Sequence, residues 1–234
     1  MSVKVAVVGA AGRMGKTVCQ AVEEAEDMEL VARLDSDDEL TLQALNGAQT
    51  VVEFTVPSVT EKNFLALIDL GVNVVVGTTG WDDEKLKKVR LAAEIKKVGV
   101  LIAPNFALSA VLLMSFAQKA AQYFESVEVV EMHHPDKVDA PSGTAKTTAS
   151  LIAAAREQAG VASSPDATQT DELGARGARI GDVNVHAIRL RGLNAHEEVL
   201  LGNPGEQMII RQDSFDRASF MPGVLLAVRE VEKH

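Results

Sequence analysis

Val3-Lys4-Val5-Ala6-Val7-Val8-Gly9-Ala10-Ala11-Gly12-Arg13-Met14-Gly15 is an apolar, β-branched run that breaks on a glycine and passes into helix-forming sequence. That order of strand, tight turn and helix start is the local design that binds a pyrophosphate. Gly9 suits the turn, Gly12 lets backbone approach the phosphates, and Gly15 permits close helix–strand packing. The spacing is GxxGxxG and not the commoner GxGxxG. The expected cradle is Gly9, Ala10, Ala11, Gly12, Arg13 and Met14. Asp35, at the end of a second strand-like run and about 20 residues past Gly15, is placed to accept hydrogen bonds from an adenosine ribose. The ligand these residues imply is NADH or NADPH. No Arg or Lys directly follows Asp35, which favours NADH, although Arg13 and Lys16 on the glycine loop could receive a 2′-phosphate.

Outward from that stretch the first hundred residues keep one rhythm. Strands are expected over Val3 to Val8, Leu30 to Leu34, Thr50 to Phe54, Asn73 to Val76 and Val98 to Ile102. Helices are expected near Gly12 to Glu24, Val59 to Leu70 and Asp82 to Ile95, with a less regular stretch from Asp35 to Gln49. This alternation predicts an α/β, Rossmann-like, doubly wound parallel sheet. Gly77-Thr78-Thr79 (followed by Gly80) and Ala103-Pro104-Asn105-Phe106 fall at the carboxyl ends of the fourth and fifth strands, where such sheets bind ligands. They are therefore assigned to the cofactor site.

After Asn105 the pattern changes. A helix is expected from Leu108 to Phe124, a strand from Val127 to Met132, a long helix from Ser142 to Gly160 and an irregular loop from Val161 to Arg179. Three strand-like runs follow, Val183 to Arg191, Glu197 to Leu201 and Gln207 to Gln212, with no helix between them. They predict an α+β second domain with a mostly antiparallel open sheet. Phe215 to Glu232 reads as a helix that returns to the first domain. The expected division is residues 1–106 with 216–234 for the dinucleotide and 107–215 for substrate and oligomerisation.

Composition narrows the function classes. The chain has 234 residues, 47% of them apolar, and 23 basic against 33 acidic residues give a net charge of −10. That balance argues against a nucleic-acid partner. No apolar run reaches the roughly 20 uncharged residues of a membrane span, and Met1 to Val8 has no signal-peptide layout, so a cytoplasmic location is expected. Cys19 is the single cysteine, which excludes an internal disulfide and a cysteine-based metal site.

The chemistry concentrates in Glu131-Met132-His133-His134-Pro135-Asp136-Lys137-Val138-Asp139-Ala140-Pro141-Ser142-Gly143-Thr144-Ala145. Two imidazoles and an ammonium precede a helix start at Ser142, a favoured N-cap residue. The first N–H groups of that helix, from Gly143 and Thr144 onward, have no intrahelical partner and suit a carboxylate. Adjacent residues on a strand point to opposite faces, so His133 and His134 are not expected to share a metal, and no metal site is assigned. Histidine suits a proton donor near neutral pH.

Taken together, the glycine loop, Gly77-Thr78-Thr79-Gly80, Ala103-Pro104-Asn105-Phe106 and the segment from His133 to Ala145 resemble the 4-hydroxy-tetrahydrodipicolinate reductase (dihydrodipicolinate reductase) family, from end to end of the chain. Gly174-Ala175-Arg176-Gly177 and the region of His196-Glu197-Glu198 also resemble it, without a chemistry that spacing assigns. The resemblance implies reduction of a cyclic dicarboxylate imine by NADH or NADPH with loss of water, in lysine and diaminopimelate biosynthesis, by a homotetramer. It implies that His133 protonates the reduced ring and that Lys137 is a second proton donor or a substrate anchor. His134, Ser142, Gly143 and Thr144 would hold the carboxylates. One position departs: Asp136 stands where members often carry a second basic residue, leaving the pocket less positive.

A cleft between the domains, with hinges near Asn105 to Leu108 and Asp213 to Asp216, is expected from this chemistry. Two rival readings fit the sequence less well. Dehydrogenases acting on acyl thioesters need a nucleophilic cysteine, and Cys19 sits on the wrong element. A redox-sensing dinucleotide binder would have no use for the basic segment.

Overall fold

The structure, a computed structural model, describes residues 2–103 and 105–233. It divides into two compact units, Met1–Phe106 with Phe220–His234, and Ala107–Ser219. The return into the first unit thus falls at Phe220, not at the expected residue 216.

In the first unit β1 (Val3–Val8), β2 (Met28–Leu34), β3 (Thr50–Glu53), β4 (Asn73–Val76) and β5 (Val100–Ile102) form one sheet in the order β2-β1-β3-β4-β5. Every pairing in it is parallel. Helices α1 (Arg13–Glu24), α2 (Thr60–Asp69) and α3 (Asp83–Lys96) connect the strands. Successive strand residues point to opposite faces. Val5 and Val7 pack with Val18 and Val22 of α1 and with Val224 and Val228 of the C-terminal helix Met221–Glu230. Ala6 and Val8 pack with Phe64, Leu67 and Ile68 of α2 and Val89 of α3. Both faces of the sheet are covered, so its strands read as continuous apolar runs. The link from β2 to β3 holds no helix, as its irregular sequence suggested. β5 begins at Val100 and not at Val98, because α3 ends on Lys97 in the left-handed region (φ +55°) and residues 98–99 complete the turn.

The second unit contains α4 (Leu108–Ala120), β6 (Ser126–His133), α5 (Gly143–Gln158), β7 (Ala178–Ile180), β8 (Val183–Arg189), β9 (Ala195–Asn203) and β10 (Glu206–Ser214). Its sheet runs β10-β9-β6-β8-β7, with β6 and β8 parallel and the remaining pairs antiparallel. Two details correct the sequence reading. The helix expected to reach Phe124 ends at Ala120 and tightens into a 3-10 turn, Ala121–Tyr123. The end of the expected loop contains β7, whose three residues are too few to show an alternating pattern; Gly181, at φ +61°, sits in the turn that pairs it with β8.

α4 and α5 cover one face of this sheet through Leu113, Ala117, Ala149 and Ile152 against Val127, Val129, Val185 and Val199. Near the C-terminal end of α5, the wholly buried Arg156 binds Asp182 Oδ2 (2.9 Å) and the carbonyls of Phe124 (2.7 Å), Ala162 (2.8 Å), Glu125 (3.1 Å) and Ala121 (3.3 Å). A planar fork of five donors is suited to tying that many chain segments together, and it fixes the helix whose other end carries the candidate site.

Candidate active site

The turn after β1 works by what is missing. Gly9 lies at φ +83°, and a Cβ there would stand 2.2 Å from the Phe54 carbonyl oxygen; at Gly15 it would stand 2.0 Å from the Gly9 carbonyl oxygen. No side chain fits either place, so helix α1 starts hard against the strand end. Gly12 N–H donates to Gly9 O at 3.0 Å, and α1 has neither a capping side chain nor an acid in its first turn. Its N-terminal donors and the positive end of its dipole are left for an anion. Beside the loop lies a cavity of about 760 Å³, lined by Gly9, Gly12, Asp35, Asp38, Phe54 and Thr55 among others, which is large enough for the adenosine half of a dinucleotide. The glycine turn, the Asp35 carboxylate and the cavity fit a dinucleotide.

Asp35 is half-buried, and its carboxylate accepts from Ala11 N–H (2.7 Å) and Ser36 N–H (2.9 Å). Those two backbone donors hold the carboxyl below its usual range. Among the other expected cofactor residues, Ala10 is buried, Met14 half-buried, and Ala11 and Arg13 exposed. A Cβ on Gly77 would fall 2.0 Å from the Phe54 ring. Thr78 is a strut: its hydroxyl donates to Glu53 Oε2 (2.7 Å) and accepts from Thr55 N–H (2.8 Å), while its carbonyl takes the Trp81 indole N–H (2.8 Å). Thr79 is exposed, Ala103 and Asn105 are half-buried, and the buried Phe106 packs on Phe54 with ring centroids 5.8 Å apart. Pro104 lies outside the described residues. Sequence reasoning passed over Glu53, which is wholly buried at the end of β3 and collects the hydroxyls of Thr55, Thr60 and Thr78.

In the second unit the site is assembled around Glu131, which sequence reasoning also passed over. It stands two residues before His133 and so shares its strand face. Glu131 Oε2 lies 2.6 Å from His133 Nδ1. Arg189, opposite His133 on β8, grips both carboxylate oxygens, with Nη1 to Oε2 at 2.7 Å and Nη2 to Oε1 at 2.8 Å. Ser142 N–H donates to Oε1 at 3.0 Å. Burial pushes this fully enclosed carboxyl up, but the bonds from His133 and Arg189, the His133 charge and the Ser142 N–H outweigh it and hold it at about 2. An ionised carboxylate can only accept, so Nδ1 carries the hydrogen, and Nε2 is the ring nitrogen Glu131 leaves unengaged.

The stretch from His134 to Ser142 is fastened at several points. Arg189 Nη2 also donates to Asp139 O (2.9 Å), and Lys137 N–H donates to His134 O (3.3 Å). Lys137 Nζ lies 2.6 Å from Asp139 Oδ1, so one of its three donors is engaged. Ser142 caps α5 with Oγ accepting from Ala145 N–H at 3.1 Å. Its amide and one lone pair are thus committed to the fold, and its hydroxyl proton is what it has to offer a ligand. Gly143 is exposed at the helix start, and Thr144 and His134 are half-buried. Asp136 is exposed.

The two stretches without assigned chemistry are ties. Arg176 pairs with Glu128 and, at 3.0 Å, with Asp166, while His186 Nε2 lies 2.7 Å from Glu128; these fasten the loop before β7 to the sheet. His196 Nδ1 lies 2.6 Å from Asp213 Oδ1.

A dinucleotide cradle of this build, in a chain that also holds a carboxylate-backed imidazole, marks a nicotinamide-dependent oxidoreductase. The family profile "Dihydrodipicolinate reductase, N-terminus" matches residues 3–106, and "Dihydrodipicolinate reductase, C-terminus" matches residues 109–234. The chain is 63% identical to the 4-hydroxy-tetrahydrodipicolinate reductase of Bifidobacterium animalis subsp. lactis, over 98% of this chain and 93% of that one. It is 61% identical to that of Beutenbergia cavernae, over 100% and 95%. A dipicolinate-bound dihydrodipicolinate reductase from Paenisporosarcina sp. TG-14 superposes with a TM-score of 0.88 at 37% identity, covering 100% of this chain and 96% of that one. This chain therefore belongs to the dihydrodipicolinate reductase family. Among the described residues no helix is long and apolar enough to cross a membrane.

Proposed function

We propose that the protein reduces 4-hydroxy-tetrahydrodipicolinate to tetrahydrodipicolinate in the diaminopimelate and lysine route, in the cytoplasm. One hydride and one proton enter and one water leaves. The observation that carries this reading is the buried Glu131 carboxylate 2.6 Å from His133 Nδ1, itself clamped by Arg189 and Ser142 N–H. When bound, the reduced nicotinamide supplies the hydride.

The rest falls to the chain's own residues. Glu131 holds the imidazole in one orientation and stabilises its protonated form, so that His133 delivers a proton from Nε2 to the reduced ring. Lys137 and His134 offset the charge of the dicarboxylate. The N–H groups of Gly143 and Thr144 take a carboxylate at the start of α5, with Ser142 offering its hydroxyl. In the first unit the loop from Gly9 to Met14 holds the pyrophosphate, and Gly77, Thr79, Ala103, Asn105 and Phe106 border the nicotinamide half through backbone and packing. Thr78 supports them from below. Asp35 binds the adenosine ribose and, with Asp38 beside the same cavity, makes NADH the better fit than NADPH. Exposed Ile188, Met208 and Ile209 on the second unit's sheet support a homotetramer built through that sheet, checked by sedimentation equilibrium.

The test is an assay with enzymatically generated 4-hydroxy-tetrahydrodipicolinate, following loss of reduced-nicotinamide absorbance. Rapid oxidation that depends on the dicarboxylate is expected, with Lys137→Ala raising KM. Tight NADH binding without oxidation would refute the reading.

A further inference from the structure

Glu197 is the buried ionisable group that this mechanism leaves unused. It lies on β9 directly opposite Glu131 of β6, and the two are 2% and 0% exposed on the helix-covered face of the sheet. Cross-strand partners stand about 5 Å apart at Cβ, a separation at which two buried carboxylates do not both ionise readily. Glu131 has Arg189 and His133 to hold its charge. Among the described residues Glu197 has no such cation, and its Oε1 is buried without a hydrogen-bond partner.

Every element packed around Glu197 tells the same way. β6 presents Glu131, and β10 presents the neutral Gln212. α4 contributes Ser109, bonded to Gln212, and apolar side chains. α5 contributes the Thr148 hydroxyl, which reaches Glu197 and also donates to Thr144 O at 3.1 Å. The Thr148 hydroxyl has a single proton, which serves either the Thr144 carbonyl or an ionised Glu197 and not both. In agreement, burial pushes the Glu197 carboxyl up to about 7, the Thr148 contact opposes this, and the charge of Glu131 adds to the rise.

We propose that Glu197 is a positioning residue for the dicarboxylate: kept as an uncharged acid across the strand from Glu131, it leaves the anion-gripping start of α5 above one buried carboxylate and not two. Its ionisation places a second anion there and withdraws the Thr148 hydroxyl from the first turn of α5 toward itself. Substrate affinity then falls, through charge repulsion at short range and through the disturbed Thr144 carbonyl. This rests on the function proposed above for the same site.

The experiment compares wild type with Glu197→Gln, which fixes the neutral form in nearly the same shape. KM for the dicarboxylate should rise roughly five- to tenfold from pH 6 to pH 8.5 in wild type, as one like charge at this range predicts, and stay nearly level in Glu197→Gln. Because kcat depends on His133, the change should appear mainly in KM. Calorimetric Kd values for a planar pyridine dicarboxylate, measured on the NADH-bound protein over the same pH range, give the same comparison without turnover. His134 and Lys137 are present in both proteins, so the difference between the two isolates Glu197. Parallel pH profiles in wild type and Glu197→Gln overturn the proposal, as does a wild-type profile that is level. Failure of turnover with pH-dependent binding retained would overturn the proposed reaction instead and leave Glu197 in its role.

Discussion

At the end of β1 the chain makes its site by leaving side chains out, whereas at the end of β6 it makes one by committing nearly every side chain to another. Gly9 and Gly15 are defined by the carbonyl oxygens a Cβ would strike. Glu131, His133, Arg189 and Ser142 are defined by their bonds to one another. A cofactor of fixed shape asks for room and backbone donors, and both survive most exchanges elsewhere. Proton delivery asks for one ring orientation and one protonation state, and those depend on every member of a network.

The contrast can be broken from either side. His133→Gln should lower kcat by about 10²- to 10⁴-fold, the range of a lost general acid, and leave the Kd for NADH as in wild type. Stopped-flow turnover and fluorescence titration separate the two quantities; a parallel loss of NADH affinity would mean that the regions are not independent. Gly15→Ala is the reciprocal change. Its Cβ would stand 2.0 Å from Gly9 O, so the turn must move, with an expected loss of about 2–4 kcal/mol in denaturant unfolding and of NADH binding. Wild-type affinity in that variant would show that the close approach has no role.

Glu197 sharpens the comparison through pH. Burial pushes its folded carboxyl up to about 7 from the ordinary 4.5, so the folded state holds this proton more tightly than the unfolded chain does. Stability from that proton is present below pH 4.5 and is lost as pH rises through 7. Glu197→Gln removes the liability and should be more stable than wild type by about 1–3 kcal/mol at pH 8 and hardly different at pH 4. Urea melts at the two pH values decide it, and equal midpoints at pH 8 would contradict a strongly buried acid. The smallest effect is expected at Asp35→Asn: about a tenfold rise in KM for NADH with NADPH less affected, because the removed charge no longer opposes a 2′-phosphate. An equal rise for both cofactors would place Asp35 in holding Ala11 N–H alone.

How much of this was legible depends on distance along the chain. The glycine spacing and the strand rhythm lie within a few dozen residues of one another, so the parallel, doubly wound sheet of the first unit could be read from local pattern. Glu131 carried a readable signal that went unused, since residues i and i+2 share a strand face. Arg189 carried none: it reaches Glu131 through the parallel β6/β8 pairing, and nothing in its own neighbourhood points there. Thr78 shows the opposite case. A threonine in a glycine turn reads as a ligand contact, and its hydroxyl and carbonyl instead serve Glu53, Thr55 and Trp81. β7 escaped because three residues show no period.

The proposed proton delivery requires Glu131 to act through His133. The most direct test is kcat/KM across a double-mutant cycle of Glu131→Gln and His133→Gln, with 4-hydroxy-tetrahydrodipicolinate and saturating NADH. Glu131→Gln alone should cost about 10- to 100-fold and almost nothing further once His133 is already Gln. The same factor in both backgrounds would contradict this coupling, because the carboxylate would then act without the imidazole.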